Sequence, residues 1–184
     1  MYDRLIQAVF GHSDIVTCLA RSECHFSQYY YLASGSRDCT VMLWMFSMQR
    51  LCVVTSQGTP KPVVILNGHE ASIKCISLSA ELGLVLSGSV SYLLGQFDHS
   101  WLSVYTLNGK LLHSNDLGIL SNNTNSSIVY HINAMLFSDC GRYILVAGND
   151  GVIWILRSYN LLPVHAFPKC DTSVESLSLS HDQR

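Results

Sequence analysis

The stretches FGHSDIVTCLA (residues 10–20) and YYYLASGSRDCTVMLW (residues 29–44) decide the fold. A Gly-His pair, Gly11-His12, opens them. An apolar run follows over Ile15–Ala20, then a second over Tyr30–Ser34. A tight turn at Ser36-Arg37-Asp38 leads into Thr40–Met45, which carries Trp44. Alternation of apolar and small residues, with β-branched and aromatic content, makes all three runs strands rather than helix.

Outward from this unit, the pattern recurs. Gly68-His69 opens a second unit, in which Ile73 and Ile76 hold the places of Val16 and Leu19. Leu84–Ser89 repeats Leu32–Ser36 after a turn at Glu81-Leu82-Gly83. Two registers then compete. Phe97 stands as far from Ser87 as Trp44 does from Ser34, with Ser91 in the place of the turn Asp, while Tyr105 precedes TLNGKLL, a natural exit into an outer strand. Val90–Ser100 is therefore an insertion or the scar of two fused units, and fusion is the preferred reading. A third unit runs Ile132–Ser138, Tyr143–Gly148 and Val152–Leu156, with Asn149-Asp150-Gly151 as a hairpin turn. Here Asp150 keeps the turn position, while Leu156, Val146 and Ile128 replace the Trp, Ser and His. The outer strands are expected at Val63–Leu66 and Leu161–Phe167. Residues 3–9 read as an outer strand of a preceding unit, and Val174–Ser180 begins another inner strand. Met45–Pro62 is a loop by composition, and Ser114–Ser127 includes a polar low-complexity loop at Ser121–Ser127.

A Gly-His opening and a Trp closing the third strand resemble a WD40 repeat, of which each copy supplies one four-stranded propeller blade. The resemblance implies an all-β chain: a partial WD40 β-propeller of about three four-stranded antiparallel blades in an open or incomplete ring. The blades fall at about 11–66, 68–116 and 128–167, with part-blades at 3–10 and 173–184. It also implies a structural tetrad of His12, Ser34, Asp38 and Trp44. Each ring nitrogen of a half-buried imidazole needs a partner, which a turn Asp and a strand hydroxyl supply, and the hydroxyl also accepts from an indole N–H. The same three polar residue types could form a nucleophilic triad, but a triad needs a cleft and its geometry.

Three stretches carry a closer resemblance: GHSDIVTCLARSE (11–23), AELGLVLSG (80–88) with LNGKLL (107–112), and LSHDQR (179–184). Together they are similar to the C-terminal WD40 region of BEACH-domain proteins of the neurobeachin and lipopolysaccharide-responsive beige-like anchor family. That implies a fragment of a cytoplasmic scaffold, peripheral on intracellular membranes, acting in vesicle trafficking and membrane-protein sorting through unidentified protein partners. The BEACH and pleckstrin-like domains lie outside these 184 residues, so functions residing there do not carry over.

Composition narrows the classes. The 184 residues are 48% hydrophobic and 13% charged, with net charge −2, which suits packed strands and gives no basic face for nucleic acid. No apolar run reaches the ~18 residues of a membrane span. Seven Cys and eight His are dispersed without zinc spacing, so no metal is expected, and no cofactor. Asn122-Asn-Thr and Asn125-Ser-Ser match the glycosylation sequon but lack a secretory signal before them. Paired carboxylates and a Gly-rich phosphate loop are missing, so no catalytic residue is assigned; the alternative readings are a propeller-based hydrolase or a non-functional truncated fragment. Arg37, beside Asp38, and Lys74, near the start of the second inner strand, are the candidate partner-binding residues.

Overall fold

A computed structural model describes residues 7–22, 29–54, 58–90, 100–120, 130–138 and 140–180. The first sheet contains β1 (Val16–Arg21), β2 (Tyr29–Ser36) and β3 (Val41–Ser47) in chain order. Two short strands, β4 (Cys52–Val53) and β5 (Val64–Leu66), both pair with β3. The second sheet is β6 (Ile73–Ser79), β7 (Leu84–Val90), β8 (Ser100–Thr106) and β9 (Leu111–Asp116). The third is β10 (Ile132–Phe137), β11 (Tyr143–Gly148), β12 (Ile153–Arg157) and β13 (Pro163–Ala166). Every pairing is antiparallel, and each sheet runs outward from its first strand in chain order.

The strands superimpose by register. Leu32 faces Trp44, Val85 faces Tyr105, and Ile144 faces Leu156. Each inner strand carries a bulge at the same place: Val16/Cys18, Ile73/Cys75 and Ile132/Ala134. A bulge bends the strand and deepens its twist, so its recurrence marks one unit used three times. The register also decides between the two readings of the second blade. Val90 pairs with Ser100 and Val85 with Tyr105, so Tyr105 takes the Trp position.

The core lies between sheets. Ala33, Val41 and Leu43 of the first sheet pack with Ile73, Ile76, Val85 and Tyr105 of the second. Leu86, Leu102 and Val104 on the far side of the second pack with Ile132, Met135, Ile144 and Leu156 of the third. At about 1.5–3 kcal/mol for each fully buried aliphatic side chain, these two layers, not the hairpins, hold the molecule together. The inner strands β1, β6 and β10 border one cavity of about 770 Å³, lined by Leu19, Ile76, Ser77, Leu136 and Leu179 among others. Such an arrangement is a run of consecutive propeller blades around a channel.

Among the described residues the sheets do not close a ring. Val16 and Leu19 are 48% and 75% exposed, whereas their counterparts Ile73 and Ile76 are 0% and 9%, and Ile132 and Met135 are 2% and 4%. In the second and third sheets these positions are covered by the preceding sheet; in the first they line an open cavity with Trp44 and Val53.

Three expectations change. Residues 7–10 form no strand, and residues 3–6 of the expected outer strand lie outside the described residues. The outer edge of the first sheet is made in two pieces, because β4 pairs with Phe46 and Ser47 before β5 pairs lower down at Val41–Leu43. Residues 174–180 enter no strand ladder. The readings placed on Ser91, Phe97, Ile128, the 121–127 loop and 181–184 lie outside the described residues.

Candidate functional site

The turn after β2 positions the polar cluster of the first sheet. Asp38 sits in that turn because Ser36 Oγ accepts its amide at 3.1 Å. The Asp38 carboxylate then accepts the Thr40 amide at 3.0 Å, the Thr40 hydroxyl at 2.7 Å and the Ser13 amide at 2.9 Å. His12 Nδ1 lies 2.9 Å from Asp38 Oδ2, and its Nε2 lies 2.8 Å from Ser34 Oγ. Trp44 Nε1 donates to the same Ser34 Oγ at 2.9 Å. The structure thus brings His12, Ser34, Asp38 and Trp44 together. The side chains of His12 and Asp38 are 5% and 9% exposed.

Burial pushes the Asp38 carboxyl upward, but the bonds from Thr40, Ser13 and His12 outweigh it and hold it well below the usual carboxylate range. An ionised Asp38 fixes the proton of His12 on Nδ1, leaving Nε2 to accept the Ser34 hydroxyl. Gly11 lies where it does because a Cβ there would stand 2.8 Å from Met42 Sδ and 3.0 Å from Trp44 Cη2. A side chain there would collide with Met42 and Trp44.

The second sheet repeats the cluster without a carboxylate. His69 Nε2 lies 2.6 Å from Ser87 Oγ and its Nδ1 2.8 Å from Ser89 Oγ. Burial with only hydroxyl partners lowers the His69 pKa to about 4, so this imidazole is neutral. Tyr105, in the Trp position, sends its hydroxyl to Asn67 O at 3.2 Å instead of to the serine. Among the described residues the third sheet shows no such cluster. Asp150 caps its own turn by accepting the Val152 amide at 3.0 Å, with Trp154 Nε1 at 3.5 Å.

A cavity of about 390 Å³ lies over the first cluster, lined by Phe10, His12, Val16, Leu32, Ser34 and Trp44 among others. It lies on the outward face of the first sheet. Asp38 is not among its lining residues.

Arg37 and Lys74 both stand where inner strands begin, on different sheets. Arg37 is exposed, with its amide donating to Ile15 O at 3.0 Å. Lys74 is exposed and borders a cavity of about 250 Å³ with His131, Asn133, Asn149 and Glu175.

Sequence reading missed Thr40, Ser89, Thr17 and Asn133. Thr40 is visible as the residue two after a turn Asp, where an Asx turn places a donor. Ser89 is visible as the match of Ser36. Thr17 Oγ1 donates to Ile73 O at 2.5 Å, linking the inner strands of adjacent sheets, and nothing local signals such a bond.

Stacked antiparallel blades, a bulged inner strand and an imidazole clamped between a strand hydroxyl and a turn carboxylate define a WD40 repeat protein. The WD domain, G-beta repeat model matches residues 4–45, 60–101 and 117–155, more than half of the sequence. The chain belongs to that family. A neurobeachin homolog of Caenorhabditis elegans is 46% identical over 89 residues, covering 46% of this chain and 4% of that protein. BEACH domain-containing protein B of Arabidopsis thaliana is 28% identical over 209 residues, covering 88% of this chain and 7% of that protein. The chain therefore spans a small part of the curated relatives it matches. Among solved structures, that of the computationally designed Ika4 protein superimposes with a TM-score of 0.62 at 16% identity, over 98% of this chain and 89% of that one. This likeness shows the fold alone.

Proposed function

We propose that the chain is a non-catalytic protein-interaction module, the WD40 part of a BEACH-type scaffold that acts in vesicle trafficking and membrane-protein sorting. The scaffold would be cytoplasmic and peripheral on intracellular membranes. The observation that carries the non-catalytic reading is the repetition of the His-Ser pair. His69 and Ser87 keep the bond of His12 and Ser34, with the Ser89 hydroxyl rather than a carboxylate against Nδ1. A cluster that persists after losing its acid serves to hold strands. In the first sheet the serine hydroxyl is already engaged by Trp44 and His12. Among the described residues, no helix is long and apolar enough to cross a membrane.

Partners would bind at the end where inner strands begin, with Arg37 and Lys74 as charged anchors. Affinity capture from cells, comparing the chain with an Arg37→Glu/Lys74→Glu double variant by quantitative mass spectrometry, tests this. Loss of a defined set of partners from a variant that still folds supports the reading; an unchanged set refutes this surface.

The hydrolase reading keeps one observation in its favour. The order Asp38–His12–Ser34 is that of a nucleophilic triad, and the cavity above the first sheet touches His12 and Ser34. Covalent capture of Ser34 by an alkyl fluorophosphonate is its signature.

A further inference from the structure

Charged residues are scattered along the sequence, yet the fold sorts them. The inner strands β1, β6 and β10 end at one end of the molecule, where the turn between the third and fourth strands of each sheet also lies. Among the described residues that end carries Arg21, Arg50, Lys110, Arg142 and Arg157, all exposed, against one carboxylate, Glu81. The opposite end carries Arg37, Lys74 and Lys169 among carboxylates that include Asp14, Glu70, Asp116, Asp150, Asp171 and Glu175. A chain of net charge −2 therefore has one basic end. The spacing hides it, because these cations recur with the blades and never form a run.

The turns at the basic end also set apolar side chains beside their cations. Leu51 follows Arg50 and is 52% exposed, and Leu111 follows Lys110 and is 46% exposed. In the third sheet Arg157 Nη1 donates to the Tyr159 hydroxyl at 3.1 Å, and Tyr159 and Leu162 are both exposed. Backbone bonds fix these tips. The Thr106 amide donates to Lys110 O and the Arg157 amide to Leu162 O, both at 2.9 Å. The Ser158 amide donates to Arg142 O at 3.0 Å, so the Arg142 turn stands beside the third tip. Leu51 has φ 51°, a conformation a bulky side chain rarely adopts.

We propose that the end where the inner strands finish docks on a membrane surface of anionic lipid. Arg50, Lys110, Arg142 and Arg157 lie over the headgroups, while Leu51, Leu111, Tyr159 and Leu162 enter the interfacial layer. A cation near an anionic leaflet adds about fivefold to affinity, so several together give a usable attachment. Tyrosine suits the boundary because its ring is apolar and its hydroxyl stays wet. Nucleic acid has no use for an apolar side chain at every tip, and an acidic protein rarely offers one plane that turns of three sheets reach together. The site deepens the peripheral placement proposed above and rests on it for the choice of membrane. It shares no residue with the Arg37 and Lys74 surface, so vesicle binding and partner capture succeed or fail separately.

The test is co-sedimentation of the full chain with vesicles of phosphatidylcholine, alone or with about one-third phosphatidylserine. Only the mixed vesicles should carry the protein down, and salt should weaken the binding. Arg50→Glu/Lys110→Glu should weaken it roughly tenfold or more. Arg37→Glu/Lys74→Glu, with the same change in net charge, should bind as the parent does. Leu51→Ser/Leu111→Ser should weaken binding severalfold with every cation in place. On the unaltered chain, mixed vesicles should slow hydrogen exchange over 48–51, 107–111 and 157–162. Absence of binding, equal binding to phosphatidylcholine alone, equal loss in the two charge variants, or protection confined to other segments overturns the proposal. Leucine variants that bind like the parent also overturn it, because cations alone then mark a surface for an acidic protein.

Discussion

Trp44 Nε1 donates to Ser34 Oγ at 2.9 Å between neighbouring strands of the first sheet. One hydroxyl thereby satisfies an indole and an imidazole at once, since His12 Nε2 lies 2.8 Å from the same oxygen. Ser34→Ala leaves both groups without that partner in a buried setting, which costs about 1–3 kcal/mol. Urea unfolding should show a lower midpoint with an unchanged slope. An unaltered midpoint would mean that the cluster contributes nothing to the blade.

Asp38 gives the first sheet an acid dependence. Its folded carboxyl titrates below its unfolded value near 3.8. The stability it contributes is therefore fully present above about pH 4 and is lost as pH falls through the folded value. Asp38→Asn should be less stable at neutral pH and should lose less on acidification. Thermal melts between about pH 2 and pH 7 measure it. Parallel curves for the two proteins would contradict the assignment.

His69 acts in a different window. Its folded pKa of about 4 lies below its ordinary 6.5, so between these values the unfolded chain binds the extra proton. Stability should rise with pH across that range and level off above it. His69→Gln should flatten this rise, while Asp38→Asn should leave it in place. Melts at half-unit pH steps separate the two residues.

Leu19 and Ile76 occupy one register position on successive sheets, yet only Ile76 is covered. Leu19→Ala should change stability by no more than about 0.5 kcal/mol. Ile76→Ala should cost about 2–5 kcal/mol. Equal losses would show that the first sheet carries a neighbour on its outward face.

Much of this was legible in the residues. Gly-His pairs, the Ser-Gly-Ser strand ends and Trp44 carry enough chemistry to mark two blades and to bring four distant side chains to one spot, while the Asn149-Asp150-Gly151 turn marks the third. The second blade was harder, because Phe97 and Tyr105 are both aromatic and only the pairing of Val85 with Tyr105 selects one. The split outer edge of the first sheet escaped notice because Cys52-Val53 is too short to show alternation. Residues 174–180 read as a strand because they carry the pattern of one; no ladder forms, since pairing depends on a neighbour that local sequence does not encode. Contacts between sheets, such as Thr17 with Ile73, lie at separations no periodicity reports.

We infer that His12, Ser34 and Asp38 hold a blade together rather than act on a substrate. Incubating the folded chain with an alkyl fluorophosphonate and mapping adducts by peptide mass spectrometry separates the two roles. Ser34 should stay unmodified while Trp44 fluorescence reports an intact fold. Stoichiometric labelling of Ser34, abolished by His12→Gln, would contradict it and make the cavity above the first sheet an active site.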